Sequence, residues 1–226
     1  IKLDGLKPLP ESELTDLAAS LNIGSDDFVI VAGSTHEGEE EAVLKVLEAL
    51  QALTQNEGTS NAIKLIIAPR HPERFERAAT IIEQHGFKAR RFSKGESFSS
   101  EGNEVYLLDG LGQLVKYYSL GSVAFVGGTI APIGGHNVAE PYAYRVPVCC
   151  GPNIQKTKDI AYALDECGAL LMASDADNLI NRVKEVYLDR DKARSIGEKG
   201  AAWLKENQGA VDRAYQMIAS VYKKSL

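Results

Sequence analysis

The chain has 226 residues, 44% of them hydrophobic and 25% charged, and a formal net charge of -6. That length suits one large α/β domain or two small ones, with enough apolar residues for a core that needs no disulfide or metal. The acidic balance argues against a nucleic-acid partner. No run approaches the roughly 18 apolar residues of a membrane-spanning helix, and no signal-peptide pattern opens the sequence; a soluble chain is expected.

The opening "IKLDGLKPLP" (1–10) carries two prolines and reads as a linker into a helix over about 11–22. A start of this kind suggests a piece of something longer, with one domain over 11–226. "DFVIVAG" (27–33) reads as a strand. "GEEEAVLKVLEALQAL" follows, with apolar residues at 43, 44, 46, 47, 50 and 53 on one helical face. "AIKLIIAP" (62–69) is a second strand. "PERFERAATIIEQHG" is a helix with Pro72 near its start and Gly86 just past its end. "KARRF" (88–92) is a weaker strand, and "SKGESFSSEGN" (93–103) a polar loop. "EVYLLD" (104–109), "SVAFVGG" (122–128) and "VPVCCG" (146–151) are strands, and "GALLMA" (168–173) a weaker one. From about Asp175 the pattern is helical only. Regular β-α alternation predicts a three-layer, Rossmann-like α/β domain with a central parallel sheet. Cys149, Cys150 and Cys167 are expected to be buried, reduced thiols.

In open α/β sheets, ligands sit beyond the carboxyl ends of the strands. The segments found there are "STHEGEEE" (34–41), "PRHPER" (69–74), "DGLGQL" (109–114) and "GGTIAPIGGHN" (127–137). Three of the four histidines, His36, His71 and His136, fall in them. His85 sits at a helix C-terminus, where a cation suits the dipole. Each segment also has a plainer reading. Ser34 and Glu37 form a capping-box pattern. "PRHPER" fits a solvated turn with Arg74 exposed. Asn137 with Glu140 fits an N-cap. Together they point to one shared pocket.

"PIGGHN" then has a physical sense. Its glycines let backbone approach a ligand. A helix beginning near Asn137 would offer free N–H groups to a phosphate, with Pro141 in its first turn. No dinucleotide fingerprint or P-loop follows a strand. A three-histidine zinc site is disfavoured, because no ligand pair has helical or strand spacing. No acidic cluster suits Mg²⁺. Neither metal nor cofactor is expected.

"VAGSTHEGEEE", "APRHPERF", "LLDGLGQLVKYY", "AFVGGTIAPIGGHNVAEP" and "GPNIQKTKDIA" resemble, in order and approximate spacing, motifs of the bacterial 3-deoxy-D-manno-octulosonic acid (Kdo) transferases. The resemblance covers nearly the whole chain but only the family's C-terminal half. "TIAP" and "NVAEP" depart from the commoner Ser-Leu-Val-Pro and Asn-Pro-Leu-Glu-Pro without removing a polar group. The resemblance implies half of a GT-B architecture. It implies an inverting enzyme that moves Kdo from CMP-Kdo to a lipid A precursor at the cytoplasmic face of the inner membrane. This half would bind the donor. The absent half would bind the acceptor, supply the acidic base and carry the membrane attachment, so this chain alone would be inactive.

Residue by residue, the resemblance places Gly134, Gly135, His136 and Asn137 at the CMP phosphate. Arg70, beside His71, would face the phosphate or the Kdo carboxylate, and Glu140 the ribose hydroxyls. The turn containing Gly112 would border cytosine. Ser34, Thr35, His36 and Gly128 would complete the wall. Rival readings are another GT-B enzyme, such as a UDP-sugar epimerase, and a non-catalytic nucleotide-binding module.

Overall fold

A computed structural model of the chain describes residues 3–57, 62–99 and 102–209. The strands are β1 (Phe28–Thr35), β2 (Ile63–Pro69), β3 (Lys88–Arg91), β4 (Glu104–Leu107), β5 (Val123–Val126), β6 (Val148–Cys150) and β7 (Leu170–Met172). The helices are α1 (Glu11–Ser20), α2 (Glu39–Glu57), α3 (Phe75–Gln84), α4 (Leu114–Tyr117), α5 (Lys158–Glu166), α6 (Ala176–Leu188) and α7 (Arg190–Asn207). All seven expected strands are present, the two weaker ones included. The helical pattern expected beyond residue 209 lies outside the described residues.

The strands form one parallel sheet in the order β3-β4-β2-β1-β5-β6-β7. Parallel strands need crossover connections, and here the connections carry helices onto both faces. Alternate side chains therefore enter two separate cores. Phe28, Ile30, Leu65, Ile67, Val105 and Phe125 meet Leu44, Leu47, Ile82 and Val183 from α2, α3 and α6. Val29, Val31, Ile66, Tyr106, Ala124 and Val148 meet Tyr117, Tyr142, Leu164 and Leu204 on the other face. Burying each large apolar side chain contributes about 1.5–3 kcal/mol. That is why strands buried on both sides read as near-continuous apolar runs in the sequence.

β1 is hydrogen-bonded to β2 on one side and β5 on the other. Chain order reverses here, so the crevice beyond the ends of β1 and β5 is the topological switch point. The opening segment is tied back to the end of α7. The Gln208 amide donates to the carbonyls of Leu3 and Leu6 at 3.0 and 2.9 Å. α6 and α7 start as capping chemistry requires. Asp175 accepts from the Asn178 N–H at 2.8 Å, and Asp189 from the Lys192 N–H at 2.9 Å.

Two local expectations are corrected. No α-helix begins near Asn137; residues 140–144 form a single 3₁₀ turn instead. The Asn137 side-chain oxygen accepts from the Ala139 N–H at 3.2 Å, a turn-forming bond that competes with a helix cap. The cysteine reading holds for Cys149 and Cys150, which are buried, but Cys167 is exposed just past the end of α5.

Candidate functional site

At the end of β1 the register against β2 shifts between Gly33 and Thr35. The residue that absorbs the shift is Ser34, held left-handed at φ 55°. Non-glycine residues adopt that conformation at a cost of roughly 1 kcal/mol, so the kink is a constraint of the site. It turns Thr35 inward, where its hydroxyl donates to Glu40 at 3.0 Å. Glu40 also takes Arg74 at 2.8 Å, and burial pushes its carboxyl above the usual range against that pairing. Arg74 is thus paired and mostly covered, contrary to the reading of it as an exposed turn residue.

The capping box expected of Ser34 and Glu37 is not what the structure shows; a different carboxylate of "STHEGEEE" reaches back, onto His36. Glu37 is exposed. Glu39, fully buried, accepts from the His36 N–H at 2.9 Å. The same carboxylate reaches across to the segment after β5. It accepts from the N–H groups of Gly128, Thr129, Ile130 and Ala131 at 2.7, 3.0, 2.9 and 3.1 Å. Composition and motif reading missed this residue, because five backbone donors converging on one carboxylate is a property of the fold.

The segment pinned by Glu39 is held from its other side as well. Thr129 bonds the backbone of Asn153 and Gly151, and Gly134 accepts from the Lys156 N–H at 2.7 Å. Gly134 and Gly135 stand at φ 99° and 85°. Any side chain there is strained, and the Gly135 N–H closes the turn onto Gly128 at 2.7 Å. That turn delivers His136 against His36. Their Nε2 atoms are 2.8 Å apart, and the rings are parallel to within 3° with centroids 5.1 Å apart. This is the geometry of two coplanar rings meeting nitrogen to nitrogen, one donating and one accepting, so the pair holds at most one proton between them.

Burial is the main cause that lowers His136 to about 4, with His36, Arg70 and Lys156 adding positive repulsion. His36 is lowered too, chiefly by burial and partly restored by Glu39. A depressed histidine binds its proton later in the folded state than in the unfolded one. Its neutral state therefore favours folding above about pH 6.5, and that contribution is lost as the pH falls toward 4. Between pH 7.5 and 4.5 the parent should lose more stability than His136→Asn. Melting curves across that range check this; parallel losses would mean His136 titrates normally.

Beside this pair lies a cavity of about 570 Å³ beyond the ends of β1, β2 and β5. It is lined by Ser34, Arg70, Gly112, Gly135, His136, Asn137 and Glu140 among the residues expected from sequence. The others are placed around it. Thr35 is fully buried and spent on Glu40. His36 stands behind His136, and His71 packs edge-on against His36 at 5.5 Å. Gly128 lies beneath the His136 ring and Gly134 beneath the Lys156 stem. Lys156, Thr157 and Tyr118 also line the cavity and were not anticipated. Of the "DGLG" turn, Gly112 reaches the cavity. Asp109 turns away to accept from Ser93 and Arg91. Glu140 accepts from the Asn137 amide at 3.3 Å, and burial raises its carboxyl above the usual range. Among the described residues, no group of three or more His, Cys, Asp or Glu could hold a metal ion.

No family model matches the chain. It is 34% identical over 202 residues to 3-deoxy-D-manno-octulosonic acid transferase of Haemophilus influenzae, across 89% of this chain and 46% of that protein. The Aquifex aeolicus transferase is 37% identical over 171 residues, 75% of this chain and 44% of that one. The fold matches the crystal structure of the C-terminal CMP-Kdo binding domain of WaaA from Acinetobacter baumannii. The TM-score is 0.74 at 28% identity, covering 84% of this chain and 94% of that domain. Most of the chain is homologous to the Kdo transferases. The chain spans about half the length of the curated relatives it matches. The Kdo transferase motifs quoted from the sequence are the segments that converge here, and the Rossmann-like sheet is of the GT-B type.

Proposed function

We propose that this chain is the donor-binding half of an inverting glycosyltransferase that moves Kdo from CMP-Kdo to a lipid A precursor in lipopolysaccharide synthesis. The observation that carries the reading is the convergence of Arg70, His136, Asn137 and Glu140 on one cavity at the switch point. The phosphate lies at Arg70 and His136, because a guanidinium matches phosphate oxygens and no carboxylate pairs with Arg70 among the described residues. Departure of a nucleoside monophosphate needs its growing charge stabilised, which a fixed cation does without a metal. The corrected helix shifts this role from backbone N–H groups toward side chains. The acceptor, the acidic base and attachment to the cytoplasmic face of the inner membrane belong, on this reading, to the other half of the family's proteins. No helix among the described residues is long and apolar enough to cross a membrane.

Glu140 tests the reading. As a ribose ligand it accepts hydrogen bonds from the two hydroxyls, worth roughly 1.5–3 kcal/mol for a charged acceptor. Glu140→Ala should therefore weaken CMP binding by at least about tenfold while the melting midpoint barely moves. Calorimetric titration should also show CMP preferred over UDP, and deoxyribose analogues bound alike by mutant and parent. A preference for UDP would favour the sugar-epimerase reading. An unchanged CMP affinity would leave Glu140 as a mere partner of Asn137.

A further inference from the structure

Several cations of this domain are paired with carboxylates. Arg74 has Glu40, Arg91 has Asp109 and Glu76, and Lys64 has Asp27. Two cations on the cavity wall have no carboxylate within ion-pair distance among the described residues: Arg70, just after β2, and Lys156, just before α5. Only Arg70 was legible in the sequence.

Lys156 is seated rather than loose. Its backbone N–H is fixed to the Gly134 carbonyl at 2.7 Å. Its stem crosses Gly134 so closely that a Cβ there would stand 3.1 Å from its Cγ and 3.4 Å from its Cε. Gly134 thus leaves room for the lysine stem, and Lys156 lines the cavity. Arg70 and Lys156 line the same cavity from different loops, and His136 lines it with them. Glu140 is the one carboxylate on this wall. With neutral histidines the wall is left positive, which suits a ligand carrying more than one negative charge.

We propose that Lys156 is a second cationic ligand of the donor, sharing with Arg70 the two negative charges of a nucleotide whose sugar bears a carboxylate. This rests on reading the cavity as a sugar-nucleotide site. In a 2-keto-acid sugar the phosphate oxygen and the carboxylate sit on one carbon. Two cations converging from separate loops meet that arrangement, and one cation alone leaves a charge unmatched. The site then favours acid-sugar nucleotides over neutral ones by electrostatics as well as shape.

Titration of CMP and of CMP-Kdo into the parent, Lys156→Ala and Lys156→Arg chains tests the proposal, with melting curves alongside. Lys156→Ala should weaken CMP-Kdo binding at least about tenfold with an unchanged melting midpoint, and Lys156→Arg should restore most of it. The salt dependence of binding should become shallower in Lys156→Ala. A loss confined to CMP-Kdo assigns Lys156 to the carboxylate, and a loss shared with CMP assigns it to the phosphate. Parent-like CMP-Kdo affinity in Lys156→Ala overturns the proposal while leaving the donor site standing. A parent that binds neither ligand overturns the donor site itself.

Discussion

Glu39→Ala is expected to destabilise the domain by about 3–5 kcal/mol, the range for stripping the partner from a buried charged network. Five backbone N–H groups lose their acceptor at once, four of them in the segment that carries Gly128. Water entering the vacated space will recover part of the cost, so the lower end of the range is the firmer figure. The loss should be functional as well. That segment runs into the turn that sets His136 against His36, so donor binding should fall even where the variant is still folded. Glu39→Gln is the sharper comparison. It keeps the shape and one acceptor oxygen but turns an amide NH₂ toward N–H donors. Denaturant melts of both variants, with CMP titration well below the midpoint, measure the two effects separately. A Glu39→Gln chain as stable as the parent would show that the carboxylate is only a spacer.

Gly127→Ala should be nearly as damaging, at about 3 kcal/mol. A Cβ at this position would stand 2.4 Å from the Ser34 carbonyl oxygen and 2.7 Å from Glu39 Oε2. Neither neighbour can retreat. Ser34 sits in the strained kink that ends β1, and Glu39 is held by its five donors. The overlap must therefore push β1 and β5 apart at the crevice where the cavity opens. Gly134→Ala would be strained for a different reason, its φ of 99°, because the atoms its Cβ meets belong to the Lys156 stem and not to backbone. A Gly127→Ala chain that melts and binds like the parent would mean the strand ends are looser than these distances require.

The sheet was legible because burial on both faces forces apolar runs, and the helices because their apolar residues recur on one face. Even the short strands β3 and β7 showed as brief β-type segments. The cavity was half legible. Polar residues after strands stand out against apolar runs, which found Ser34, Arg70, His136, Asn137 and Glu140. Two kinds of fact were not. Glu39 stands among three consecutive glutamates, and sequence spacing gave the cap to Glu37, because the kink at Ser34 sets the distance. Lys156 precedes α5 in an exposed stretch, and only the crossing over Gly134 brings it to the wall. The helix expected at Asn137 failed for a local reason. An asparagine whose side chain closes its own turn competes with the cap it was expected to form.

The adjacent thiols of Cys149 and Cys150 carry a consequence for how the domain opens. They point to opposite faces of β6, one in each core, and burial pushes both thiols well above their ordinary range. Neither reacts with an alkylating reagent until the helices over its own side lift away. Cys167, exposed and free, marks the rate at which an unprotected thiol reacts. One polypeptide thus contains a separate clock for each of its two helical layers and a third that runs unhindered. Modification kinetics followed by mass spectrometry distinguish a domain whose two halves breathe independently from one that opens as a unit.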